Sequence, residues 1–132
     1  MREIKFRGYG KDEKGKHWIY GNLLDEKLIE LVAIQDEKCH VWEVDPESVG
    51  QFTGVRDRDK TEIYEGDILR KRDEFAWRTA NTGAVFWNRE EGRWCVWVRG
   101  GLVFSLTLRK GETWSVIGNM YDNPELLEVR KP

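Results

Sequence analysis

A chain of 132 residues fits one domain, or at most a compact body with a small subdomain. Seven Trp, five Phe and four Tyr supply large apolar side chains, each able to bury about 150–250 Å², so a sizeable core is within reach although 35% of the residues are charged. The formal net charge of −2 argues against whole-chain attraction to nucleic acid, because neutralising about six to ten phosphates needs a basic surface that only local clustering could supply here.

Charged and bulky apolar residues alternate along the chain instead of segregating, which excludes a disordered polypeptide. The opening MREIKFRG lacks the apolar stretch of a secretory signal, and no run of about 18 apolar residues occurs anywhere. The expectation is a cytoplasmic protein without membrane association. Cys39 and Cys95 are expected to be reduced thiols that behave as small buried hydrophobes.

REIKFRGYG alternates polar and apolar residues at Ile4 and Phe6, the period of a strand with one buried face. KDEKGKH reads as a hairpin turn with Gly15 at positive φ, and HWIYGNLL as the returning strand. The next stretch, DEKLIELVAIQDEKCHVWEVD, is ambiguous. Leu28, Leu31 and Val32 could share a helical face, yet LVAI and CHVWEV are rich in strand formers, and strands are the preferred reading. VDPESVG predicts a short helical connector, with Asp45 as cap and Pro46 in the first position; DNPELL repeats the device at Asn123 and Pro124.

Beyond Ile63 the pattern is all-β. DILRKR, TGAVFWN, RWCVWVRG, LVFSLTL and TWSVIGNMY are short and rich in Val, Trp and Phe, with turns such as NREEGR between them. Five such strands suit a small barrel, which removes the exposed edges of an open sheet. AVFW and WCVWV are apolar on both faces, so one face is expected to line the core and the other to need a cover, for which residues 1–50 are the candidate.

The densest charge lies in QFTGVRDRDKTEIYEGDILRKR. Asp57 and Asp59 are spaced like the first ligands of a calcium loop. Glu62 then falls where such a loop requires Gly, and Ile63 where it requires an oxygen ligand. RDRDK is therefore read as a hairpin tip, with no metal site. Glu65-Gly66 suits a tight turn with Gly66 at positive φ, and Asp67 can accept backbone N–H bonds that fix the entry of the next strand. Glu65 and Asp67 as a general acid and base would need a cleft and a third group, neither of which the sequence supplies. His17 and His40 have no metal-ligand or nucleophile partners at a recognised spacing, and GYGKDEKGK and RGGL lack phosphate-loop spacing, which leaves their glycines to hairpins and loops. No catalytic residue, cofactor or metal is expected.

One binding surface is a candidate. Trp and Arg intermingle in FAWRTANTG, FWNREEGRW and WVRGG, and on a small barrel exposed aromatics flanked by cations can stack bases and meet phosphates. That reading names Arg72, Arg78, Arg89, Arg93 and Arg99. The competing reading, which Glu90 and Glu91 favour, places Trp87, Trp94 and Trp97 in the core or at a subdomain interface with arginines at the rim.

Three segments in this order, MREIKFR, VGQFTGVRDRDKTEIYEGDIL and VIGNMYDNPELL, resemble the YopX family, small proteins of bacteriophages and prophages. The resemblance spans essentially the whole chain. It covers Ile4 to Arg7, then Val49, Gly50, Gln51, Thr53, Gly54, Asp57 and Glu62 through Asp67, and finally Ile117, Gly118, Asn119, Tyr121, Asn123, Pro124 and Leu127. The chain departs from the family pattern at Asp59-Lys60, where Asn-Gly is common, and at GYG after Arg7. The resemblance implies an SH3-like small barrel in the C-terminal part. Together with the strand pattern, the expectation is a mainly β chain with a hairpin plus SH3-like barrel over residues 51–132 and a β-rich subdomain of residues 1–50 packed against it. It brings no activity and no transferable site. Gly54, Asp57, Glu65, Gly66 and Asp67 then read as a structural turn motif. The functional expectation is a non-enzymatic phage-associated protein acting by macromolecular contact, with a protein partner or a second copy ahead of nucleic acid, and an enzyme with a Glu/Asp site behind both.

Overall fold

The computed structural model describes residues 3–12, 15–26, 31–71, 82–98, 101–107 and 113–127. The fold is mainly β, with antiparallel sheets and, among the described residues, two short 3-10 turns. The chain divides into two compact units, Met1–Phe52 and Thr53–Pro132.

In the first unit, β1 (Phe6–Asp12), β2 (Gly15–Glu26), β3 (Leu31–Gln35) and β4 (Val41–Glu43) form an antiparallel meander. The strand preference for LVAI and CHVWEV holds at β3 and β4; Leu28 lies outside the described residues. β2 is long because its two halves serve different neighbours, residues 15–21 pairing with β1 and residues 22–26 with β3. The change of partner falls at Gly21, where a Cβ would lie 2.0 Å from the Gln35 carbonyl oxygen, so only glycine lets the strands cross there.

Two expectations are corrected here, the first at Cys39, which is exposed in the loop between β3 and β4 instead of buried. The second is at Ile4, which is 63% exposed and precedes β1, whose inward pattern begins at Phe6. Gly8 and Gly10 lie in β1, within the strand read from REIKFRGYG, and a Cβ on Gly8 would come within 2.7 Å of Val44. Val44 bridges to Gly10, and Asp45 N–H bonds the Tyr9 carbonyl at 3.0 Å. The glycines thus let the end of β4 close onto β1. Ile19, Ile34 and Val44 form the buried centre of this unit, with Phe6, Leu23, Val32, Trp42 and Val49 packed around them. The connector predicted at VDPESVG is a 3-10 turn, Pro46–Ser48, whose Asp45 carboxylate accepts from Glu47 N–H at 3.0 Å.

β5 (Gly50–Arg56) passes through the boundary between the units, with Gly50 and Gln51 paired to Arg7 and Phe6. In the second unit its later residues form a hairpin with β6 (Glu62–Tyr64), pinned where the Thr53 hydroxyl donates to the Ile63 carbonyl at 2.8 Å. The remaining strands are β7 (Asp67–Lys71), β8 (Thr82–Asn88), β9 (Arg93–Val98), β10 (Leu102–Ser105) and β11 (Trp114–Asn119). They make one sheet of order β10-β9-β8-β7-β11, a meander whose last strand returns beside its first. The five segments predicted as strands are these five.

Leu69, Val85, Trp94, Val96, Val98 and Trp114 lie on one face of the sheet and form the core with Val55, Ile63 and Leu106. Lys71 is half-buried, with its ammonium 5.0 Å from the Phe104 ring and 6.0 Å from Trp114. A long aliphatic stem and a cation–π contact make that position favourable.

Candidate functional site

The charged hairpin tip separates its two aspartates. Asp57 is 5% exposed and Asp59 is exposed. One Asp57 carboxylate oxygen accepts from the backbone N–H groups of Asp59 and Thr61 at 2.8 and 2.9 Å; the other accepts from Val116 N–H at 2.9 Å. A carboxylate carrying three backbone donors organises a turn and its junction with β11. Its lone pairs are committed to the backbone, and it does not converge with Asp59 on a shared ligand. Among the described residues no group of three or more His, Cys, Asp or Glu side chains is arranged to hold a metal ion.

The second acidic pair is also built into a turn. Gly66 has a φ of 87°, donates to the Val85 carbonyl at 2.9 Å and accepts from Met120 N–H at 2.7 Å. Asp67 is 1% exposed and accepts from Tyr64 N–H at 2.8 Å, while Glu65 is half-buried. Gly54 lies in β5 at a φ of 83°. These five residues sit at strand ends and bends.

Of the candidate arginines, Arg72, Arg78 and Arg99 lie outside the described residues. Arg89 and Arg93 flank the β8–β9 turn, which Gly92 closes at a φ of 64°. Arg93 is paired with Glu91, its Nε donating at 2.7 Å, and this bond holds the guanidinium pKa above its ordinary value. The tryptophans divide. Trp94 and Trp114 are buried, whereas Trp87 and Trp97 are 40% and 43% exposed; Trp87 stands edge-on to Trp94 at 5.0 Å.

The strand register gathers exposed apolar side chains that sequence reasoning did not assemble. On the sheet face opposite the core, Ile68, Ala84, Trp97 and Val103 form one row across β7, β8, β9 and β10. Exposure rises along it from 0% at Ile68 through half-buried Ala84 to 43% at Trp97 and 48% at Val103. The two-sided apolar pattern of WCVWV was the available signal; the cross-strand pairing that builds the row was not legible without the register.

The first unit carries a second feature missed in the sequence, a cleft of about 690 Å³ lined in part by His17, Trp18, Tyr20, Asp36, His40 and Trp42. Asp36 shapes its wall, accepting from Lys38 and His40 N–H at 2.9 Å each and from the Trp42 indole N–H at 2.9 Å. The indole bond is the main cause holding the Asp36 carboxyl below its usual pKa, against a smaller opposing effect of burial. His17 meets the Trp42 ring edge-on at 5.3 Å. Asp36 Oδ2 also lies 3.8 Å from His40 Nδ1, so the cleft presents aromatic walls beside a carboxylate–imidazole pair whose carboxylate is bonded to its own loop.

Among the described residues no helix is long and apolar enough to cross a membrane. No curated protein sequence matches the chain. Among solved structures, the chain is similar to that titled "Crystal structure of protein EF1440 from Enterococcus faecalis", at 22% identity and a TM-score of 0.55. The match covers 97% of this chain and 100% of that one, and at this identity it speaks to the fold. The family model described as YopX protein matches residues 5–128, nearly the whole length, and the chain therefore belongs to the YopX family.

Proposed function

We propose that this protein is a non-enzymatic interaction protein whose partner is a protein. The observation that carries the reading is the apolar row ending at Trp97 and Val103, whose exposure increases toward one edge of the sheet. Side chains of this size left in water on adjacent strands are typical of a surface that another protein covers. Asp57 and Asp67 support the same reading, since both bond backbone N–H groups. The return of β11 beside β7 supports reading the second unit as an SH3-like barrel, a scaffold suited to presenting such a face. A phage or prophage origin and action in the bacterial cytoplasm complete the proposal and rest on the family resemblance.

A photo-cross-linking amino acid in place of Val103, introduced in cells, tests it. A discrete protein adduct that disappears when Trp97→Asp is added is the expected result; no protein adduct overturns the reading. Fluorescence anisotropy with mixed-sequence DNA and RNA at low and moderate salt is the companion measurement. Submicromolar binding that weakens steeply with salt would replace the protein partner with nucleic acid.

A further inference from the structure

We infer that the edge of β10 is a pairing site for a second copy of this chain, joined antiparallel through Val103 and Ser105. The inference rests on the protein-contact reading above and names the partner for that face.

The hydrogen-bond phase of the β9–β10 hairpin sets the geometry. Leu106 N–H donates to the Trp94 carbonyl at 3.0 Å, and the register pairs Phe104 with Val96 and Leu102 with Val98. Hydrogen-bonded and non-hydrogen-bonded pairs alternate in an antiparallel ladder. Leu102 and Phe104 therefore direct their backbone groups toward β9, while Val103 and Ser105 direct theirs away from it. Among the described strands β10 has one neighbour, β9, and stands at the end of the sheet.

Such an edge is ordinarily blunted by shortness, charge, proline or a bulge. LVFS is four residues long but carries no charge, proline or bulge, in a chain with 35% charged residues. Leu102 and Val103 are 58% and 48% exposed. The apolar row therefore becomes most exposed at the strand whose backbone groups point outward, which places whatever covers it at that edge.

The edge is complementary to itself. With a two-fold axis through Phe104, Val103 of one copy faces Ser105 of the other, and each residue exchanges its N–H and C=O with its counterpart. Four ladder hydrogen bonds form with no outward group of either residue left over. The cross-strand row then runs across the junction from Trp97 and Val103 of one copy onto the half-buried Ser105 and buried Cys95 of the next. An isologous contact of this kind closes at two copies.

Sedimentation across a concentration series, together with the Val103 photo-cross-linker, tests the inference. The wild type is expected to dimerise reversibly and the cross-linker to join two copies. Val103→Pro removes an outward N–H while leaving the β9 ladder bonds intact, and edge strands tolerate proline. It should raise the dimer dissociation constant about thirtyfold, two ladder bonds being lost per dimer. Val103→Lys, at an exposed position that does not threaten folding, should also give monomer with an unchanged far-ultraviolet circular dichroism spectrum. A wild type that stays monomeric while the cross-linker captures a different protein overturns this inference and leaves the protein-contact reading standing. A dimer that both variants leave intact also overturns it. No protein adduct at all overturns both.

Discussion

Asp57→Asn is the most demanding test of how the charged hairpin is held. The carboxylate accepts three backbone N–H bonds, two inside the turn and one from Val116, 59 residues away in sequence. An amide of the same shape has one oxygen to accept and an NH₂ that only donates. If the oxygen stays on the Asp59 and Thr61 donors, the NH₂ faces Val116 N–H; if the amide flips, the two turn donors lose their acceptor. The first arrangement sacrifices less. It removes one bond to a charged acceptor, worth about 1.5–3 kcal/mol, and leaves a half-buried N–H opposed by another donor. The expected destabilisation is about 2–3 kcal/mol, a large part of the roughly 5–15 kcal/mol typical of a native domain. Equilibrium urea unfolding followed by tryptophan fluorescence measures it, and amide exchange should accelerate at Val116. Asp59→Asn is the control, since Asp59 is exposed and should shift stability by less than about 0.5 kcal/mol. If Asp57→Asn matches that control, the carboxylate does not anchor the hairpin to β11.

Lys60 adopts a φ of 65°, a left-handed conformation unfavourable for a side chain with a Cβ. Lys60→Gly should therefore stabilise by about 0.5 kcal/mol, because relief of that cost exceeds the added freedom of glycine in the unfolded chain; a lower melting temperature would refute this. Gly8→Ala should destabilise by about 1–3 kcal/mol through the clash with Val44. The loss should shrink in the Gly8→Ala/Val44→Ala double variant, and simple additivity in urea unfolding would show that the contact is not responsible. The folded-state pKa of Asp36 is lowered chiefly by the Trp42 indole. Its contribution to stability is thus present above the unfolded value of 3.8 and is lost as pH falls through the lower folded value. Trp42→Phe should flatten that acid limb in melting temperature against pH, and an unchanged limb would remove the indole as its cause.

Much of the secondary structure is legible because its causes are local. TGAVFWN and RWCVWVRG announce strands through their β-branched and aromatic content, and the glycine of NREEGR sits where a left-handed residue must close a short loop. Asp-Pro in VDPESVG starts a turn because aspartate supplies an acceptor and proline presets φ. Gly8 and Gly10 show the converse: their strand was legible in REIKFRGYG, but the need for glycine there was not. Glycine beside a charged turn has the signature of a loop, and only Val44, more than 30 residues later, explains its place in a strand. Ile4 fits the alternation of β1 but falls before the paired residues, where nothing obliges it to be buried.

The candidate sites divide in the same way. A mainly β chain, the order of its strands and the turns that separate them were legible in the residues alone, since these follow from side-chain branching, periodicity and backbone preference within a few residues. Its three ordered segments also carried the YopX resemblance. Tertiary structure alone decided which side chains meet: Asp57 with Val116, Asp36 with the Trp42 indole across an aromatic cleft, and Trp97 with Val103 at the edge of a sheet. Those meetings depend on strand register, and a shift of one residue turns every side chain of a strand to the opposite face. Composition and spacing do not set that register; the packing of the sheet does.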